Sequence, residues 1–249
     1  MDFEKRDDLF FREGVKHVLG NIFIDSDSGK IIDTSYNPED ELIAEAAHRV
    51  FKTAIRPDGQ EVTDIFGNKI ERFFTVKLIS LMRKHDTSLI ADFFNISNYL
   101  INEFRLTLWD HPVFIDKGKS HFIFPDTMIV LGGARQIYQM YLISHIKKKE
   151  VLVPDVELKK ILDNKKTLVG FELSEEDKEE GFSLEGRYVV IVDDGALTLR
   201  SLYLAKNFLF SQGANVLGAL VLFDWYEGEW PEEVSDIPIK ISLAKIIIK

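Results

Sequence analysis

From about residue 126 onward the chain alternates two patterns: short runs that are apolar at nearly every position, and longer stretches whose apolar residues recur at intervals of three and four. The runs at 127–131, 151–153, 167–173, 188–192 and 215–223 read as strands, and the stretches at 134–147, 156–162 and 197–212 as helices. Runs such as Val189-Val190-Ile191-Val192 have no polar alternation, as expected of strands covered by helices on both faces. Strands alternating with helices in this way predict βαβ units and an α/β fold with a parallel sheet.

The first half reads differently. Apolar runs at 21–25 and 30–33 flank Ser26-Asp27-Ser28-Gly29 and suggest a hairpin. Asn37-Pro38 precedes Leu42, Ile43, Ala46, Ala47 and Val50, a helical spacing with proline near the first turn. Arg56-Pro57-Asp58-Gly59 and Phe66-Gly67-Asn68 have turn composition. Between residues 73 and 109 the spacing predicts two helices broken near Asp86-Thr87, with Thr87 as a cap. A second hairpin is expected from 113–115 and 121–124. The expected organisation is a mainly helical region over 1–110 and an α/β domain over 111–249.

Composition narrows the function classes. With 249 residues, 45% of them hydrophobic, the chain can bury a sizeable core. The absence of cysteine excludes disulfides, thiol catalysis and cysteine-bound metal, and fits a reducing cytoplasm. No apolar run approaches the roughly 18 residues of a membrane span, and the charged start is unlike a secretory signal, so a soluble cytoplasmic protein without a membrane partner is expected. The formal charge of −10, from 31 basic and 41 acidic residues, argues against direct nucleic-acid binding. The basic cluster Lys147-Lys148-Lys149 reads as a charged helix end or a small anion patch. The six histidines lack zinc-ligand spacing.

Ligands of an open parallel sheet sit beyond the carboxyl ends of its strands. Two strand ends carry suggestive residues. One is Leu131-Gly132-Gly133-Ala134-Arg135. The other is the apolar run ending in Asp193-Asp194, followed by Gly195-Ala196-Leu197-Thr198-Leu199-Arg200-Ser201. An acid pair followed by a hydroxyl-bearing loop that opens a helix resembles the ribose-phosphate signature of the type I phosphoribosyltransferases. The order of the tail, with a strand ending at Asp224, a Gly- and Glu-containing turn and an Ile237-Pro238 strand, is most similar to the orotate phosphoribosyltransferases. The likeness covers about 126–249, half the chain.

The resemblance implies a phosphoribosyltransferase-like parallel sheet flanked by helices. It implies that Asp193 and Asp194 hold the ribose hydroxyls of phosphoribosyl pyrophosphate, and that Thr198, Arg200 and Ser201 meet the 5′-phosphate at a helix N-terminus. Gly132, Gly133, Ala134 and Arg135 would meet the pyrophosphate, and Mg2+ would be needed only if that ligand is bound. The signature is altered: its first Thr is Leu197 and its Gly is Leu199, and a Cβ at the Gly position crowds the phosphate. The family's basic closing loop corresponds, by order, to 172–185, where seven acids accompany the single base Lys178. Such a lid repels pyrophosphate.

Several residues keep two readings. Arg200 is either a phosphate ligand or a solvent-facing arginine, and Arg135 either reaches an anion or does not. Trp225, Tyr226 and Trp230 either stack a base, form a dimer interface or simply pack. Two functions follow. One is a diverged protein that binds a phosphoribosyl compound or nucleotide, as a homodimer or as a subunit of a larger assembly. The other is an active magnesium-dependent phosphoribosyltransferase. A third reading makes the acid pair incidental to some other doubly wound domain.

Overall fold

A computed structural model describes residues 15–18, 23–25, 38–57, 62–63, 69–70, 74–76, 87–110, 115–116, 119–120, 125–131, 134–135, 153–165, 167–226 and 230–247. In chain order the first half contains β1 (Val15–Val18), β2 (Phe23–Asp25), α1 (Pro38–Ala54), β3 (Ile55–Pro57), β4 (Val62–Thr63), β5 (Lys69–Ile70), β6 (Phe74–Val76) and α2 (Thr87–Asp110). A short ribbon, β7 (Ile115–Asp116) and β8 (Lys119–Ser120), leads to β9 (Thr127–Leu131), β10 (Asp155–Leu162) and β11 (Leu168–Glu172). Then come α3 (Glu175–Glu179), β12 (Tyr188–Ala196), α4 (Arg200–Ser211), β13 (Asn215–Asp224), α5 (Glu232–Ser235) and β14 (Ile239–Ile247).

The main sheet has the order β1-β14-β13-β12-β9-β10-β11, with β2 also on β14. Its pairings are parallel except β10 with β11. The uniformly apolar strands are explained by helices on both faces. Val190, Val192, Leu217, Leu220 and Leu222 point into one cluster with Ala47, Val50 and Phe51 of α1 and Phe93, Leu100 and Phe104 of α2. Val189, Ile191, Val216, Ala219 and Val221 point the other way, against Leu202, Ala205 and Leu209 of α4. Strand alternation thus divides one run of β-branched residues between two cores.

The two N-terminal helices are tied to each other by a fork. Arg49 donates from Nε to Asp92 Oδ2 at 2.7 Å and from its second guanidinium nitrogen to Oδ1 at 2.9 Å. Such bidentate geometry fixes orientation as well as energy. α2 then lies on β13, its Phe104 ring seated over Gly218.

Several expectations are corrected. The stretch 156–162 is a strand: Val156 and Leu158 are buried and alternate with more exposed neighbours, so the period is two. Pairing with β9 through Asp155↔Met128 to Leu158↔Leu131 supplies hydrogen bonds that local helix preference cannot match. Val153, expected at the end of a strand, precedes the strand instead. The run 21–25 is not seen as a hairpin arm: β2 adds in parallel to β14, from Lys245↔Phe23 to Ile247↔Asp25, and 30–33 lie outside the described residues. Arg56 and Pro57, expected in a turn, belong to β3, and Phe74–Val76 is a strand paired with it rather than part of a helix. The second hairpin is tighter than expected, pairing Ile115↔Ser120 and Asp116↔Lys119. The helix expected at 134–147 lies outside the described residues beyond Ala134 and Arg135, as does Lys147-Lys148-Lys149. α1, α2 and the strands β9, β11, β12 and β13 fall where the pattern puts them.

Gly218 gives the fold a direct test. A Cβ there would lie 2.8 Å from the Ile239 carbonyl oxygen and 2.9 Å from the Phe104 ring. Gly218→Ala should lower unfolding free energy by about 1–3 kcal/mol through overpacking. Urea denaturation checks this, and an unchanged midpoint would contradict the packing of α2 on β13.

Candidate functional site

After β9 the chain builds outward through β10 and β11, whereas β12, β13 and β14 extend to the other side. The strand order therefore reverses between β9 and β12, and a crevice opens there at the carboxyl ends. The pairing Val192↔Val130 brings the ends of these two strands level. Ala134 and Arg135 follow one of them, and the segment from Asp193 to Ser201 follows the other. Gly132 and Gly133 lie outside the described residues.

Asp193 is 5% exposed and Asp194 half-buried. The Asp194 amide donates to Asp193 Oδ1 at 2.9 Å. Burial raises the Asp193 pKa to about 6, opposed by the Lys160 ammonium and by backbone donors. Burial and then the Asp193 charge push Asp194 well above the ordinary carboxylate range. At neutral pH the two acids behave as one coupled unit.

The loop after the acid pair keeps a distinctive backbone. Thr198 Oγ1 accepts from the Arg200 amide at 3.2 Å, closing the turn into α4. Leu199 has φ 55° and ψ 0°, the left-handed region, at the position where the resembling signature has Gly. For a residue with a Cβ this conformation costs roughly 1–2 kcal/mol. The side chain offsets that cost by burial: Leu199 is 2% exposed, in the cluster with Leu202 and Phe171. The obstruction expected from a Leu at this position is thus relieved inward. Ser201 is half-buried on the first turn of α4, where free amides and the helix dipole favour an anion.

The two arginines are held by the neighbouring hairpin. Arg200 donates from Nε to the Leu168 carbonyl at 2.8 Å. Arg135 pairs with Glu157 at 3.1 Å and with Asp155 at 3.5 Å. Trp225 is 2% exposed against Phe51 and Phe223, and a Cβ on Gly195 would come within 2.8 Å of its ring. Trp230 donates from Nε1 to Asp224 Oδ2 at 3.3 Å. Asp224, itself fully buried, also receives the Tyr226 amide at 2.9 Å and the Lys245 ammonium at 3.1 Å. Both tryptophans are packing residues that brace the loop beside the crevice.

The acidic segment does not lie over the acid pair. β11 runs back toward the amino edge, and the segment after it is fastened there: Gly186 donates to the Gly213 carbonyl at 2.9 Å and Asn215 to the Arg187 carbonyl at 2.7 Å. Phe182 and Leu184 pack with Leu209 and Ala214 at the far end of α4. The element that overhangs the acid pair is the β10–β11 hairpin, because residues beyond Leu158 continue past the end of β9. It carries Lys159, Lys160 and Lys165. Among the described residues Lys160 has no ion-pair partner, and its charge acts on both acids. Reading 156–162 as a helix hid this residue; the alternation Val156, Leu158, Lys160 was the available signal. Among the described residues no group of three His, Asp or Glu side chains could hold a metal ion, and no helix is long and apolar enough to cross a membrane.

No protein-family model matches the sequence, and no curated protein does. Solved structures similar to the chain include the adenine phosphoribosyltransferase of Thermoanaerobacter pseudethanolicus, 19% identical, with 80% of this chain and 99% of that one covered at a TM-score of 0.44. The orotate phosphoribosyltransferase of Mycobacterium tuberculosis H37Rv, in complex with inorganic phosphate, is 16% identical over 82% of this chain and 96% of that one, at a TM-score of 0.45. A protein from Neisseria gonorrhoeae with bound ppGpp is 16% identical over 64% of this chain and 84% of that one, at 0.39.

The acid pair makes stability depend on pH in a defined direction. Because the folded-state pKa values are raised, the pair's contribution is intact below about pH 4 and is lost as pH rises through about 6. Asp194→Asn mimics the protonated state without that loss. At pH 8 the variant should be more stable than the parent by on the order of 1–3 kcal/mol, and near pH 4 the two should converge. Urea unfolding at the two pH values checks the sign; a variant less stable at pH 8 would contradict the raised acid pKa values.

Proposed function

We propose that this chain is a diverged phosphoribosyltransferase-like protein that binds a phosphoribosyl compound or a nucleotide in the crevice between β9 and β12, without the orthodox transfer reaction. The observation that carries the reading is the buried pair Asp193-Asp194 at the strand-order reversal, followed at once by the N-terminus of α4. Carboxylate oxygens accept hydrogen bonds from vicinal ribose hydroxyls. The first amides of α4, with the Thr198 and Ser201 hydroxyls, face the 5′-phosphate. The left-handed backbone at Leu199, where the signature has Gly, supports a loop of the signature's shape.

Binding without transfer is supported by how the two arginines beside the strand ends are held, the lysines of the β10–β11 hairpin being the remaining positive charge at the rim. Transfer needs positive charge on the departing pyrophosphate. Arg135, the cation beside the β9 loop, is neutralised by Asp155 and Glu157, and Arg200 is drawn to Leu168. The overhanging hairpin ends in a tight turn: Asp163 Oδ1 accepts from the Lys165 and Thr167 amides, both at 2.8 Å. Two acids whose protonated forms are favoured by burial are a poor metal donor set, so they do not fit Mg2+ as a protein-held ion. The metal would arrive only as part of a pyrophosphate complex. Assembly as a homodimer or as a subunit of a larger complex belongs to the same proposal.

Calorimetry separates the outcomes. Ribose 5-phosphate, nucleoside monophosphates and Mg2+-phosphoribosyl pyrophosphate are titrated into the full chain, and pyrophosphate release is assayed with orotate and adenine. Binding at micromolar Kd without release is expected, weakened more than tenfold by Asp193→Asn with Asp194→Asn. Silence toward every sugar phosphate would overturn the reading, and sustained pyrophosphate release would replace it with an active enzyme.

A further inference from the structure

The end of β12 rests on a group of rings that includes one from the N-terminal helical layer. Gly195, the residue after the acid pair, is the Cα partner of Phe223 in the ladder with β13, and its backbone does not enter the left-handed region that calls for glycine. What excludes a side chain there is the Trp225 ring: a Cβ on Gly195 would lie 2.8 Å from Cζ3 and 3.6 Å from Cε3 and Cη2. A glycine inside a strand marks a close approach of this kind. The ring is itself held. Phe51 of α1 packs against it at 6.2 Å between centroids, tilted by 33°, and Phe223 meets it edge-on at 5.9 Å. Phe51 also meets Phe223 edge-on at 5.5 Å, so the three rings close on one another, with Phe51 and Trp225 both buried. The main chain is fixed as well, because the Trp225 amide donates to the Ala196 carbonyl at 2.9 Å. Leu197, which stands where the signature has its first Thr, packs against the same apolar cluster as Phe51.

We propose that Phe51, acting through the Trp225 ring, is a positioning residue for the acid pair, so that the N-terminal helical layer sets how well the site receives its sugar. The inference rests on the proposed phosphoribosyl site and deepens it. Asp194 is joined to Gly195 by one peptide bond, so the ring that limits Gly195 also limits where Asp194 can stand. Close-packed rings do not yield in small steps. A pair of acids that must meet two vicinal hydroxyls tolerates a displacement of only about 0.5 Å. A methyl group on Gly195 needs a shift of that order to reach ordinary contact with the ring, and Phe51 and Phe223 keep the ring from supplying it. The strand end moves instead, and the acids move with it. Phe51 is not itself a ligand contact in this arrangement; its effect passes through the rings.

The test is a cycle of single and double substitutions read by calorimetry with ribose 5-phosphate on the full chain, with urea unfolding run in parallel. Gly195→Ala should weaken binding about tenfold. Trp225→Phe in that background withdraws Cζ3 and should restore binding to within about threefold of the parent, although it lowers stability further. Phe51→Leu should act in opposite directions. It weakens binding about threefold in the parent, where the ring loses support, and strengthens it in Gly195→Ala, where the ring gains room. A general loss of stability does not reverse sign in this way. Unchanged affinity in Gly195→Ala, or a loss that neither second substitution recovers, would overturn the inference while leaving the phosphoribosyl site standing. If Gly195→Ala does not fold, Phe51→Leu alone decides: weaker binding by a folded variant supports the positioning role, and unchanged affinity overturns it. No binding of ribose 5-phosphate by the parent would instead sink the underlying site.

Discussion

Parallel pairing of β12 with β9 on one side and β13 on the other is the constraint on which the remaining features depend. Val189–Val192 of β12 are held by ladders on both edges, and the ladder to β13 continues to Ala196, so the carboxyl end of the strand is tied to the sheet. Because β10 lies beyond β9, the strand order reverses at this seam. The acids at the end of β12 are thus held where a ligand can reach them, at the cost of removing two carboxyl groups from water.

That cost is met by favouring the protonated acids rather than by pairing each acid with a base. Asp224 shows the alternative one strand away: fully buried, it is satisfied by Lys245, Trp230 and the Tyr226 amide, and needs no ligand. Among the described residues, Asp193 and Asp194 have backbone donors and the field of an exposed lysine. A structural ion pair and a ligand-seeking acid pair therefore differ here by their partners, not by their burial. The same economy governs the two arginines, whose bonds brace the hairpin against α4 and β9.

The strands and the acid pair were legible in the sequence because two-sided burial leaves an unbroken apolar run, and a polar residue ending such a run stands out. The hairpin was not. Val156 and Leu158 are followed by four exposed residues, and a half-buried strand that leaves the sheet midway has too short an alternation to be told from a helix. That one misreading moved the overhanging element from 159–168 to the acidic stretch after it, and so reversed the charge assigned to the rim of the crevice. The pairing of β2 with β14 was not legible for a different reason: that partner lies more than 200 residues away in sequence, and local turn composition carries no information about it. The left-handed turn at Leu199 was also hidden, since leucine gives no hint of a positive φ.

The central claim is that one site at the carboxyl edge joins the acids of β12 to the first turn of α4. Amide chemical shifts recorded by two-dimensional NMR during titration with ribose 5-phosphate test it most directly. The account predicts saturable shifts at Asp194, Gly195, Ser201 and Leu202, with the amides of 175–185 unmoved. Shifts confined to 175–185, or scattered without saturation while the first turn of α4 stays still, would contradict it.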